Sequence, residues 1–85
     1  ILLEDAYPNP FNPSTHITFG LSENMDVNVT VYDISGREMA VLAEGPFTKG
    51  FHNLIWDATG QPTGIYFMTV STNSETQSQK LMLIK

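Results

Sequence analysis

Apolar and polar residues alternate with a period of two along most of this chain. Val27-Asn28-Val29-Thr30-Val31-Tyr32 is the clearest case, and Thr15-His16-Ile17-Thr18-Phe19-Gly20-Leu21 repeats it with Ile17, Phe19 and Leu21 in phase. Side chains of a strand point alternately to opposite faces, so this pattern predicts strands buried on one side. Glu38–Ala43 carries Met39, Val41 and Leu42, and Phe51–Asp57 carries Leu54, Ile55 and Trp56. Both read as further strands. Ile65–Thr72 opens almost wholly apolar, which predicts a central strand covered on both sides. Glu75–Lys85 is polar at its start and apolar at its end, so its polar half is expected to protect a sheet edge. No segment carries an apolar stripe at helical spacing, and the one helical alternative is a short turn around Met39–Glu44.

Turn chemistry separates these runs. Asp33-Ile34-Ser35-Gly36 is a hairpin signal, because the Asp carboxylate accepts from nearby amides and Gly tolerates positive φ. Gly45–Gly50 and Asp57–Gly64 are expected to be longer loops, and Asn73-Ser74 closes a final hairpin. Strands spaced by about ten residues with such turns predict an all-β, immunoglobulin-like or fibronectin type III-like antiparallel sandwich of about seven strands. Pro8, Pro10 and Pro13 make residues 1–14 an extended, non-helical lead-in segment, with the sandwich proper at 15–85. That segment is expected to lie stiffly against the sandwich through Tyr7 and Phe11. The alternative, a polyproline ligand for a partner, fits poorly with Asn9 and Asn12 set between the prolines.

Composition narrows the function. The 85 residues carry four Lys plus Arg against nine Asp plus Glu, a net charge of −5, which excludes nucleic-acid binding by phosphate neutralisation. No apolar run approaches the roughly 20 residues of a membrane helix. The chain has no Cys, hence no disulfide, thiolate metal site or Cys nucleophile. A domain this small buries only about 60% of its unfolded surface, leaving little material for a deep pocket. No initiator Met or signal peptide is present, so the chain is expected to be a module of a larger protein.

Catalytic groups are sparse. His16 and His52 fall in different strands without metal-ligand spacing. Ser35, His52 and Asp57 make a triad only on paper, since no nucleophile elbow surrounds any Ser. A single calcium held by Asp57 and loop carbonyls stays open, as does glycan binding on exposed rings among Tyr7, Phe11, Phe47 and Phe51. No cofactor is expected. Asn28-Val29-Thr30 matches a glycosylation sequon but lies in mid-strand. Arg37, the only Arg, is expected to pair with Asp33 or to cover a ring such as Trp56. Trp56 is the expected central aromatic of the core. Tyr66, at the start of a late strand, is expected to anchor a loop through its hydroxyl.

Five blocks follow one another in a fixed order: Tyr7-Pro8-Asn9-Pro10-Phe11-Asn12-Pro13-Ser14-Thr15, Val31-Tyr32-Asp33-Ile34-Ser35-Gly36-Arg37-Glu38, Trp56-Asp57, Thr63-Gly64-Ile65-Tyr66-Phe67 and Lys80-Leu81-Met82-Leu83-Ile84-Lys85. Over almost its whole length the chain resembles the type A C-terminal sorting domain of the type IX secretion system. That family is related to the immunoglobulin-like domain of flagellar hook-capping proteins. The resemblance implies a non-catalytic address label on an upstream secreted cargo, read by an outer-membrane translocon of a Gram-negative bacterium. It further implies removal by a surface sortase-like protease and attachment of the cargo to anionic lipopolysaccharide. The motif residues it implies are Pro8, Asn9 and Pro10; Asp33, Gly36 and Arg37; Gly64 and Tyr66; and Lys80 and Lys85. One departure is the Asp57–Gly64 loop, shorter than the family's usual form. On this reading, the terminal strand is recognised by addition to a sheet edge or by its carboxylate. An ancillary carbohydrate-binding module of a secreted hydrolase is the alternative from another class.

Overall fold

The computed structural model describes residues 1–85 and contains seven strands and no helix. They are β1 (Leu2–Leu3), β2 (Ser14–Leu21), β3 (Met25–Asp33), β4 (Glu38–Phe47), β5 (Gly50–Asp57), β6 (Gly64–Ser71) and β7 (Thr76–Leu83). A three-stranded sheet, in the order β1-β2-β5, packs on a four-stranded sheet in the order β4-β3-β6-β7. Every pairing between named strands is antiparallel. This is the immunoglobulin-like sandwich that the alternation predicts.

The phase of each strand decides what it buries. Ile17, Phe19 and Leu21 of β2 meet Val27, Val29 and Val31 of β3, Met68 and Val70 of β6, and Leu81 and Leu83 of β7 in one core. Trp56 is its central aromatic, with ring centroids 5.5 Å from Phe11 and 5.1 Å from Tyr66. Burying a side chain of this size contributes about 1.5–3 kcal/mol by transfer alone, so these in-phase residues dominate the stability.

Several elements differ from the sequence expectation. The Gly45–Gly50 loop shrinks to Thr48-Lys49, because β4 continues to Phe47. Pro46 is tolerated there since β4 is an edge strand and needs no outward donor. Phe47 then packs against Phe19 at 5.5 Å and His52 at 5.0 Å. Met39–Glu44 is strand rather than a helical turn, held by pairing with β3. β6 is central in its sheet, yet only one face is covered: Tyr66, Met68 and Val70 are buried while Phe67 remains 40% exposed. The outer face of the four-stranded sheet has no layer upon it, so the apolar run of β6 is not doubly buried.

The lead-in segment departs most. Leu2–Leu3 forms β1 and pairs with Phe19 and Gly20 of β2. Between Tyr7 and Ser14 the chain bends instead of running extended, with bridge contacts only at Tyr7 and Phe11. Ala6 and Phe11 are both core residues, so the chain must turn inward there. The polar half of β7 also behaves unexpectedly. Gln77 and Gln79 share the phase of Leu81 and Leu83, so they face inward. Their amides close the space between the sheets by bonding the lead-in backbone: Gln77 Nε2 donates to the Ile1 carbonyl at 2.9 Å, and the Ala6 N–H donates to Gln79 Oε1 at 2.6 Å.

Candidate functional site

The pairing register brings distant sequence blocks to one end of the sandwich. Asp33, at the end of β3, faces Tyr66 of β6, and Gly64 at the start of β6 faces Leu83 of β7. Phe11 bridges Leu83 from the far side. The Asp33 turn, the loop before β6, the C-terminal residues and the Pro-Asn-Pro segment therefore meet at a single rim. Lys80 lies further along β7, opposite Phe67.

At that rim the β3–β4 hairpin is organised by one carboxylate. Asp33 Oδ1 accepts from the Ser35 amide at 2.9 Å, the Ser35 hydroxyl at 2.7 Å and the Arg37 amide at 2.9 Å. Its Oδ2 accepts from Arg37 Nε at 3.1 Å. The Ser35 hydroxyl, then the Arg37 amide, hold the Asp33 carboxyl below the usual aspartate range. Gly36 sits at φ 86°, where a side chain would be strained. Arg37 pairs with Asp33 and does not cover Trp56, whose ring neighbours are Phe11 and Tyr66. The Arg37 side chain is 75% exposed, so the pair fixes the shape of the turn more than it stabilises the fold.

Tyr66 fixes the neighbouring loop. Its hydroxyl donates to the Pro62 carbonyl at 2.5 Å while its ring stands edge-on to Trp56 in the core. This is the anchoring expected of it. Between the Asp33 turn and this loop lies a shallow groove of about 220 Å³, bounded by Arg37, Met39, Pro62 and Tyr66 among others. A larger groove of about 400 Å³ opens at the opposite end, between Asp26, Glu44 and Asn73, and contains none of the motif residues.

The Pro-Asn-Pro segment occupies the outer edge of β7. Asn9 Nδ2 donates to the Lys80 carbonyl at 2.9 Å, and the Met82 N–H donates to Asn9 Oδ1 at 3.0 Å. The Phe11 N–H donates to the Met82 carbonyl at 2.9 Å, and the Ile84 N–H donates to the Phe11 carbonyl at 3.0 Å. The carboxamide of Asn9 thus stands in for a peptide group, one step ahead of a true backbone pairing by Phe11. Pro8 and Pro10 flank it without donors of their own. The Thr15 hydroxyl donates to the Pro8 carbonyl at 2.7 Å and ties down the base of the segment. The outer edge of β7 is therefore closed from Lys80 to Ile84. The ammonium groups of Lys80 and Lys85 belong to no ion pair.

The paper triad does not assemble. Ser35 serves the Asp33 turn, His52 Nε2 bonds the Thr48 carbonyl, and Asp57 Oδ1 accepts from the amide and hydroxyl of Thr59. The Thr59 hydroxyl, then its amide, lower the Asp57 pKa. No three His, Asp or Glu side chains converge as a metal site. The sequon side chains bond within the sheet, Asn28 Nδ2 to Glu44 and the Thr30 hydroxyl to Asn28. Of the four candidate surface rings, Phe11 is buried and Phe47 partly so, while Tyr7 and Phe51 are 78% and 64% exposed. Sequence reasoning missed Gln77, Gln79 and Thr15 as partners of the lead-in segment. The parity shared by Gln77, Gln79, Leu81 and Leu83 was the available signal.

A family model described as the secretion system C-terminal sorting domain matches residues 5–85. The chain belongs to that family. The match begins at Asp5, so it includes the Pro-Asn-Pro segment and every strand from β2 to β7. No curated protein matches the chain. As a sorting domain of type IX secretion it is an export signal, with a destination at the cell surface or beyond it. Domains of this kind are typically non-catalytic and interact with the type IX secretion machinery.

Proposed function

We propose that this sorting domain is read at the rim where its motif blocks meet, and that the reader is the outer-membrane translocon of a Gram-negative bacterium. The observation that carries the reading is the convergence itself. Pro8, Asn9, Pro10, Asp33, Gly36, Arg37, Gly64 and Tyr66 come from three separate stretches, yet they build one end of the sandwich beside Lys85. Pro8, Asn9, Pro10 and Gly36 shape backbone, while Asp33, Arg37, Gly64 and Tyr66 border the shallow groove beside the turn, which suits a surface recognised by form. Lys80 and Lys85, unpaired in a chain of net charge −5, add two ammonium groups next to the terminal apolar residues. Any enzymatic activity resides in an upstream cargo. After transit, a surface sortase-like protease removes the domain and the cargo is anchored to anionic lipopolysaccharide.

The test is a secreted reporter fused to residues 1–85 in a host with type IX secretion. Deleting Lys80–Lys85 is expected to strand the reporter in the periplasm. Normal surface display of the truncated fusion sinks the reading.

A further inference from the structure

The outer edge of β7 has a feature that sorting alone does not require: its occupant is a poor strand. A regular neighbour would present backbone donors and acceptors at every second residue. Here the Lys80 carbonyl and the Met82 N–H are satisfied by the side chain of Asn9, and only Phe11 contributes backbone. Pro8 and Pro10 cannot donate at all. Towards the N-terminus, contact with β7 again runs through side chains, those of Gln77 and Gln79. The large deep attachment is Phe11, 1% exposed, its ring 5.5 Å from Trp56, with only the small Ala6 buried beside it in the lead-in. β7 is thus held by a strap with one large apolar anchor and a row of side-chain bonds, where a true strand would make a continuous ladder.

We propose that the edge Lys80–Ile84 is a strand-docking site kept shut by the chain's own Asn9–Phe11. The partner is an extended peptide segment of the export machinery. It displaces the strap and pairs parallel to β7, with a large apolar side chain in the place of Phe11. The occupant already present defines this chemistry: the Phe11–Leu83 bridge is parallel, and the slot beside Trp56 takes an aromatic ring. A segment free of proline would replace the Asn9 carboxamide with backbone and gain pairing that the strap cannot offer. Addition of a strand to an exposed edge, with alternate side chains filling pockets, is a general mode of peptide recognition. The inference rests on the sorting reading for the identity of the partner, but not for the displacement itself.

Two measurements on the full chain test the displacement. In hydrogen exchange, the Met82 and Ile84 amides face the strap, while those of Leu81 and Leu83 face β6 by alternation. Asn9→Ala, at an exposed position, is expected to speed exchange at Met82 about tenfold and leave Leu81 and Leu83 unchanged. Equal acceleration at all four amides overturns the proposal, because the strap then opens only with the whole sheet. A synthetic peptide of residues 5–14, added to the Asn9→Ala chain, is expected to bind saturably and to change Trp56 fluorescence. The same peptide carrying Phe11→Ala is expected to do neither. Absence of saturable binding, or equal binding of both peptides, also overturns the proposal.

The partner is tested by locking the strap. The chain has no Cys, so Asn9→Cys with Met82→Cys introduces its only two thiols. Gel mobility with and without reductant verifies the lock. Export of the double variant is expected to be far lower with the disulfide closed than with it reduced. Equal export of the two forms overturns the proposal and leaves the Lys80–Lys85 deletion test of the sorting reading untouched.

Discussion

The four-stranded sheet has two outer edges, and they are protected in opposite ways. The β4 edge is defended from within its own neighbourhood. Its pairing with β3 is interrupted by irregularities between Val29 and Thr30 and between Val31 and Tyr32, and Pro46 sits in the strand itself. Breaks of this kind twist an edge away from regular pairing, and a proline removes a donor. The β7 edge has no such device among its apolar residues. It borrows a cover from the other end of the chain, through bonds such as Asn9 to Lys80, which span 71 positions of sequence. The β4 defence cannot be removed without remaking the strand. The β7 cover can lift while β7 stays in place, which is the property expected of a surface that must be both stable in transit and available to a reader.

The largest expected break in this contrast is Phe11→Ala. It removes a fully buried ring that packs on Trp56, and the cost is about 3–5 kcal/mol. Urea unfolding followed by Trp56 fluorescence measures it. A loss near zero would mean that the strap is ornamental. Gln79→Ala comes next. It leaves the Ala6 N–H without its partner in a part-buried position, at a cost of about 1–3 kcal/mol. The same denaturation series checks it.

The smallest expected effect sharpens the comparison by acting on the β3–β4 hairpin and not on the Asn9–Phe11 bonds. The folded-state pKa of Asp33 is depressed, chiefly by the Ser35 hydroxyl. Its stabilisation of the β3–β4 hairpin is therefore complete above the ordinary aspartate range and is lost as the pH falls through the folded pKa. The bonds of Asn9 and Phe11 to β7 involve only amides and titrate nothing. Acid is thus expected to speed amide exchange at Ser35 and Arg37, relative to the intrinsic pH dependence, before it does so at Met82. Asp33→Asn is expected to remove the difference. Earlier loss of protection at Met82 would show that the two edges are not independent.

Much of the fold was legible from short stretches. The phase of Ile17, Phe19 and Leu21, and of Val27, Val29 and Val31, is a local property of an alternating strand. Asp33 with Gly36 announces its turn within four positions, and Tyr66 opens its strand where a loop needs an anchor. The five ordered blocks carried the family, and the match over residues 5–85 establishes it. Other features were not legible from windows of that size. The apolar opening of β6 looked doubly buried because composition does not say how many layers a fold has. Gln77 and Gln79 read as part of a solvent-facing edge because their inward phase matters only once a backbone is known to wait there for their amides.

Alternation, turn residues and motif order, all set by neighbours a few positions apart, were enough to specify a two-sheet all-β sorting domain with Trp56 at its centre. Tertiary structure alone decided that Pro8-Asn9-Pro10-Phe11 would lie along the terminal strand and close its edge. The reason is physical. A strand's own pattern dictates which face it buries, whereas the neighbour along its edge is chosen by where a distant part of the chain returns in space.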